Sequence, residues 1–258
     1  MNSHRLVKLA AGTGLMLCVA VLAGTPNVGR PLYARDYTSN GEEELIRIGF
    51  RIAPVPLNLQ GKNPDLVGLG SFLVNAVGDC NGCHTAGVPP NLNYAAGGNP
   101  YFKQKTVVDP TVYLSGGQDF GPVGTPTGPL MYAGPDIITR NLTPDKTGRA
   151  EGGNTRAQFK QIMRHGTDFD RIHPTCSAAQ IAQIEATTNP ADLPVCIPAS
   201  PGNTVDGNLL QVMPWPVFAD LTDHQLDAIY QYLSAIPCIN NTTSPPPAGA
   251  PDELHNSC

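Results

Sequence analysis

The densest chemistry in the chain lies in Cys80-Asn81-Gly82-Cys83-His84. The spacing C-x-x-C-H is that of covalent c-type haem attachment. Two thiols three positions apart can each add across one vinyl group of a porphyrin, forming two thioether bonds. The histidine directly after them is then held beneath the ring, where an imidazole nitrogen can ligate iron. Asn81 and Gly82 are small enough for the backbone to pass close to a ring edge. Two plainer readings compete. A closed zinc site needs a second ligand pair, and no other C-x-x-C and no H-x-x-x-H occurs. A thioredoxin-like dithiol needs a strand–turn–helix context that the flanking residues lack, and it would leave His84 without a role.

An iron held from one side needs an account of the other. The candidates are Met131, Met163, Met213, His165, His173, His224 and His255. Met163 shares an apolar helical face with Phe159 and reads as core. His224 falls in an exposed first turn, His255 in the tail, His165 at a helix end and Met131 in a loop. Met213 differs in its neighbours. Pro214 forces an extended backbone before it, and Trp215 and Pro216 stiffen the segment further. A rigid segment can hold a thioether against iron, which favours the ferrous state, raises the potential and fills the coordination position.

The elements that must place these residues are short. The chain holds 27 Gly and 26 Pro among 258 residues, too much punctuation for a uniform bundle of long helices. Asp65 to Asp79 has helical spacing in Leu66, Leu69, Leu73 and Val77 and delivers the chain to Cys80. Upstream, Ser39 and Asn40 are placed to cap a helix with Glu42 to Glu44 in its first turn and Leu45, Ile48 and Ile52 on one face. The alternation Ile46, Ile48, Phe50, Ile52 leaves a strand as the rival.

After His84 comes a loop of about fifty residues, with a short strand expected in 106–114 and a role in wrapping a haem edge. Pro89 or Pro90 is expected to present a carbonyl to the second nitrogen of His84. Residues 141–148 read as turns. Thr155 caps a helix that ends at Gly166. Ser177 with Gln180, and Thr222 with Gln225, make capping boxes. The last helix buries Leu226, Ile229, Tyr230 and Leu233 and stops at Pro237.

The first 23 residues have the shape of a secretory signal: His4, Arg5 and Lys8, then an apolar run from Leu9 to Ala23. That run is about fifteen residues, short of the roughly twenty that span a bilayer. An uncleaved anchor and, through Cys18, a lipoprotein are the alternatives. Of seven cysteines, Cys176, Cys196, Cys238 and Cys258 remain for disulfides with three possible pairings. The local one, Cys176–Cys196 and Cys238–Cys258, closes two loops of similar size and is the one expected. The formal net charge is −5, which disfavours nucleic acid and anionic lipid and suits docking to a basic patch on a protein partner. Paired Asp and Glu read as solvated surface, with no acid–base role.

Taken together, the helix leading into Cys80–His84, the Met213-Pro214 segment and the final helix ending Ala228-Ile229-Tyr230-Gln231-Tyr232-Leu233 resemble class I cytochromes c. The stretches 78–85, 141–145 and 213–216 resemble the cytochrome domains of membrane-bound alcohol, aldehyde and gluconate dehydrogenase cytochrome subunits. Those subunits carry three haem domains, whereas this chain has one C-x-x-C-H. The resemblance implies a mainly α cytochrome c fold, a few helices around one covalent haem c, with long Gly/Pro-rich loops. It implies thioethers at Cys80 and Cys83 and axial ligation by His84 and Met213. It places Arg140, Asn141 and Trp215 at the propionates or the haem edge.

The expected organisation is a signal peptide or anchor (1–23), a linker and extension (24–64), a monohaem domain (65–237) with a disulfide-stapled insertion at about 167–212, and a disulfide-tethered Pro-rich tail (238–258). The expected function is that of a periplasmic electron carrier between redox partner proteins, not an enzyme. Contact with a membrane is expected only through an uncleaved leader or a complex. The rival roles are a haem-bearing subunit of a dehydrogenase or respiratory complex, and a haem peroxidase or ligand sensor.

Overall fold

The computed structural model describes residues 39–85, 103, 108–199, 205–240 and 258. These are mainly helical. Helix α1 spans Ser39–Ile52, α2 Pro64–Phe72, α3 Cys80–Cys83, α4 Ala150–Gly153, α5 Arg156–His165, α6 Ala178–Ala186, α7 Trp215–Phe218 and α8 Asp223–Leu233. Among the described residues the extended pairings are isolated bridges, such as Asp119 with Ile138 and Thr127 with Tyr132. No helix among them is long and apolar enough to cross a membrane.

Helix α2 sits between α1 and α8. Its start is coded locally: Asn63 Oδ1 accepts from Asp65 N at 3.0 Å, and Pro64 occupies the first helical position. Its two contact faces depend on glycine. A methyl group at Gly49 of α1 would run into the Gly68 carbonyl, and one at Gly70 would run into the Ala228 carbonyl of α8. Backbones that close leave no water between them. Ser71, fully buried, spends its hydroxyl on the Gly49 carbonyl at 2.7 Å.

Helix α1 settles the helix-or-strand ambiguity at 39–52 in favour of the helix, which includes the backbone of Ser39 and Asn40. Leu45, Ile48 and Ile52, the expected stripe, are half-buried, and Leu45 and Ile46 pack against the core. Ile46, Gly49 and Phe50 are the residues that approach Gly68.

The expected helix from Asp65 to Asp79 is not continuous. After Phe72 the chain makes a π turn over Leu73–Val77, with Gly78 N bonding to Leu73 O at 2.8 Å. The wider turn rotates Val77 outward, to 63% exposure, although its spacing from Leu73 reads as core. Asn75 holds the turn, donating to Ser71 O at 2.9 Å and to Tyr232 Oη at 3.2 Å. Tyr113 Oη meets Asn75 Oδ1 at 2.6 Å and Tyr232 Oη at 2.8 Å, so two buried hydroxyls are satisfied together. The strand expected in 106–114 is absent from its described part: residues 110–114 are turns, with the Asp109 carboxylate capping Thr111.

The helix starts obey the local code. Thr155 with Gln158, Ser177 with Gln180 and Thr222 with Gln225 each form a capping box. Helix α5 stops at Gly166, whose φ of 64° a side chain would strain. Helix α8 ends at Leu233, before Pro237, with Ala235 and Ile236 continuing into the core. Both disulfides take the local pairing, Cys176–Cys196 and Cys238–Cys258.

Replacing Gly70 by valine should separate α2 from α8. The expected loss is about 3 kcal/mol or more, at the upper end for overpacking, read as a lower midpoint in urea denaturation. Unchanged stability would mean that the two helices do not cross backbone to backbone.

Candidate functional site

Helix α3 is a single turn, so the two cysteines it ends on project from neighbouring positions. Entry to it is abrupt: Asp79 takes φ 43°, the left-handed region that an aspartate adopts more readily than most residues. The turn is pinned from outside. Asn81, 7% exposed, accepts from Leu114 N at 3.2 Å and from the Thr85 hydroxyl. The Gln118 amide nitrogen donates to Gly82 O and Cys83 O at 3.0 and 3.2 Å, satisfying carbonyls at the end of the turn. His84 N bonds to Cys80 O at 2.8 Å, and His84 O accepts from Gly116 N at 2.9 Å. Cysteines 80 and 83 are not in a disulfide; Cys80 is half-buried and Cys83 exposed.

Cys80, Cys83 and His84 form one wall of a mostly apolar cavity enclosing about 1100 Å³ of empty space, mouth included. Its lining is drawn from segments that lie far apart in the sequence and is mainly apolar, with a few polar groups, the make-up of a site for an organic group. Phe159, Ile162 and Met163 of α5 and Ile229 and Leu233 of α8 supply apolar walls. Met213 lines the cavity from the segment before α7. Val212, with φ 66°, and the bonds Met213 N to Gln211 O (2.7 Å) and Trp215 N to Met213 O (2.8 Å) make that segment a tight turn.

The imidazole is oriented by a carbonyl. His84 Nδ1 lies 2.7 Å from Arg140 O. A carbonyl oxygen only accepts, so Nδ1 carries the proton and Nε2 is the nitrogen with the lone pair. Burial holds the imidazole below its ordinary pKa, in the neutral form a metal requires, with the Arg140 carbonyl acting in the opposite direction. The carbonyl comes from Arg140; Pro89 and Pro90, expected in this role, lie outside the described residues.

No family model, no curated protein and no solved structure matches the chain. Function therefore rests on the cavity itself. Cys80, Cys83, His84, Met213 and Arg140 come together there; Asn141 and Trp215 do not line it. Asn141 is buried in a turn: Oδ1 accepts from Thr143 N and Oγ1 at 2.9 and 2.7 Å, and Nδ2 donates to Ile239 O at 2.9 Å. It pins the start of the tail. Trp215 packs its indole against Gly166, where any side chain would collide with the ring. Of the other ligand candidates, Met163 and His173 also line the cavity. Met131 is 68% exposed, His165 is exposed, and exposed His224 meets Glu42 at 2.9 Å. His255 lies outside the described residues.

The thiols argue against a dithiol redox pair. Burial, and then the Asp79 charge, push Cys80 up to about 12, and the same causes raise Cys83. A catalytic dithiol needs a thiol pKa lowered by positive surroundings. Among the described residues, no group of three or more His, Cys, Asp or Glu is placed to hold a metal ion. What remains is two neutral thiols on one turn, an oriented imidazole, a thioether and apolar walls. That donor set, with its apolar walls, fits an iron porphyrin.

One corner of the cavity has no signature in the sequence. Arg140 does not have its guanidinium free for a cofactor carboxylate: it pairs with Asp168 at 2.7 Å and Asp170 at 2.9 Å. Glu151, which reads as solvated surface between Ala150 and Gly152, is 7% exposed and lines the cavity. Asp168, expected at the surface too, is 3% exposed. Burial pushes Glu151 up to about 7, with Arg140 pulling down and Asp170 and Asp168 pushing up. No local pattern announces this, because the burial is made by segments distant in sequence.

A raised carboxyl pKa gives stability that is complete below the unfolded value and lost as pH rises through the folded one. For Glu151 the window runs from 4.5 to about 7, and the loss across it is on the order of 3 kcal/mol. Glu151→Gln should remove that decline, so that the variant gains on the wild type between these pH values in urea denaturation. Parallel stability curves would place the carboxyl in water.

Proposed function

We propose that the chain is a monohaem cytochrome c: an exported, periplasmic protein that carries single electrons between redox partners and catalyses no bond chemistry of its own. The observation that carries this reading is one apolar cavity lined by both thiols of C-x-x-C-H, by a histidine whose Nδ1 is tied to a backbone carbonyl, and by Met213. The two disulfides support an oxidising compartment, as does the leader-like N-terminus.

Each residue then has a defined task. The Cys80 and Cys83 sulfurs would each form a C–S bond to a former vinyl carbon, the thiol hydrogen going to the other carbon. His84 would present Nε2 to iron, its ring orientation fixed by Arg140 O. Met213 would present its thioether from a stiff turn, leaving no open coordination position for oxygen or peroxide. The bound group would supply one-electron chemistry, ferric to ferrous and back. The surrounding apolar side chains would keep water away and so limit reorganisation on electron transfer. Cys83, at the surface, would bring one edge of the group within reach of a partner.

Purified protein, denatured and extracted with acidified organic solvent, should keep its colour, and in alkaline pyridine its spectrum should show two saturated vinyl positions. Met213→Ala should abolish the ferric sulfur-to-iron absorption band and admit cyanide, whereas Met163→Ala and His173→Ala should retain the band. Colour that leaves the polypeptide would overturn the reading. Loss of the band in Met163→Ala alone would transfer the thioether role to that residue.

A further inference from the structure

Glu151 is costly to place where it is. It takes φ 51° and ψ 57°, a left-handed conformation that a non-glycine residue avoids, and Gly152 and Gly153 come next, both at positive φ. Backbone bonds from Glu151 N to Leu142 O (3.2 Å) and from Gly152 N to Thr143 O (3.3 Å) hold it there. The side chain lines the cavity, and its shielded Oε2 has no hydrogen-bond partner among the described residues. A buried oxygen left so is unfavourable in a purely structural carboxyl.

The charges around it are unbalanced. Among the described residues, the charged groups acting on the Glu151 carboxyl are one cation, Arg140, and two anions, Asp168 and Asp170. The two aspartates already take the guanidinium. From the 154 turn, Asn154 Nδ2 donates to Glu151 O at 3.1 Å, and from α8, Tyr230 Oη donates to Asn154 O at 2.8 Å; burial raises the Tyr230 pKa further above neutrality. His173 is the remaining ionisable group in the wall outside the 79–84 turn and this corner. A third carboxylate here lacks a full counter-charge, so any further negative charge entering the cavity favours its protonated form. Burial already brings Glu151 close to that balance at neutral pH.

We propose that Glu151 is a redox-linked proton site: it takes up a proton when the group in the cavity gains an electron, and releases it on oxidation. This deepens the electron-carrier reading and rests on it. The electron comes from a one-electron donor protein and ends on the iron. The proton comes from solvent: one O–H bond of a hydronium ion breaks, leaving water, and one O–H bond forms on the carboxylate. A unit charge about 10 Å from a carboxyl, in a medium of effective dielectric about 20, changes its proton affinity about tenfold. By reciprocity, protonation favours reduction by the same factor. The carrier would thus accept electrons more readily in an acidified compartment and surrender them more readily in an alkaline one.

The test is the midpoint potential of the covalently loaded, full-length protein, measured across about pH 5 to 9. The potential should fall with rising pH through a window near neutrality and be flat on both sides, the total change matching a roughly tenfold shift in proton affinity. Glu151→Gln, neutral like the protonated acid, should hold the potential near the low-pH plateau throughout; His173→Asn should keep the wild-type slope. A flat wild-type profile overturns the proposal, as does a slope that survives in Glu151→Gln or vanishes in His173→Asn. Should Glu151→Gln not fold, reduced-minus-oxidised infrared spectra of wild-type protein with isotope-labelled glutamate decide it: a protonated-carboxyl band must appear on reduction, and its absence overturns the proposal. A chain that retains no haem overturns the electron-carrier reading itself, whereas a loaded chain with a flat profile overturns only this one.

Discussion

The hydrogen bond from His84 Nδ1 to the Arg140 carbonyl joins two segments 56 residues apart, and the rest of the site depends on it. It selects the tautomer that leaves Nε2 available and fixes the plane of the ring. It also sets where the Arg140 side chain begins, and that side chain anchors Asp168 and Asp170. One residue thereby couples the Cys80–Cys83 turn to the charged corner of the cavity through its backbone on one side and its guanidinium on the other. A lysine there could offer the same carbonyl but not the same two-pronged pairing.

Holding that bond requires a frame that does not yield, and the frame is built on close backbone approach. Gly49 against the Gly68 carbonyl, and Gly70 against the Ala228 carbonyl, let three helices meet backbone to backbone at these points. The π turn at Leu73–Val77 then converts a regular helix into a step that presents Cys80, and the Asn75–Tyr113–Tyr232 hydroxyl and amide contacts hold that step. Irregular backbone serves the cavity at the π turn and at left-handed Asp79, Val212 and Glu151, and it also occurs away from the cavity, at Lys103, Leu114, Met131 and Arg171. The regular helices carry the packing.

The cavity has two electrostatic characters. Most of its wall is apolar, which suits a large flat hydrophobe and a small reorganisation on charge transfer. Its Arg140 corner carries more carboxyl groups than cations, so the protonation of Glu151 and the charge within the cavity influence each other. The same burial that makes Glu151 sensitive to pH makes it a cost to stability once ionised.

Features written in contiguous residues were readable from the sequence. The C-x-x-C-H spacing, the three capping boxes, the Gly166 stop and the turns at 141–148 each depend on residues within a few positions of one another. So, in effect, do the disulfides, since Cys176–Cys196 and Cys238–Cys258 both close loops with a separation of 20. What only the tertiary structure decided are the contacts made across long stretches of chain. Arg140 supplies the carbonyl to His84; Asn141 bonds the start of the tail and Trp215 packs on Gly166; Val77 turns outward; and Glu151 turns inward beside Arg140. Periodicity assigns faces on the assumption that a helix keeps 3.6 residues per turn, and a single π turn breaks that assumption for Val77. Burial of a carboxyl is a property of whatever packs around it, and for Glu151 those neighbours come from segments that no local pattern connects.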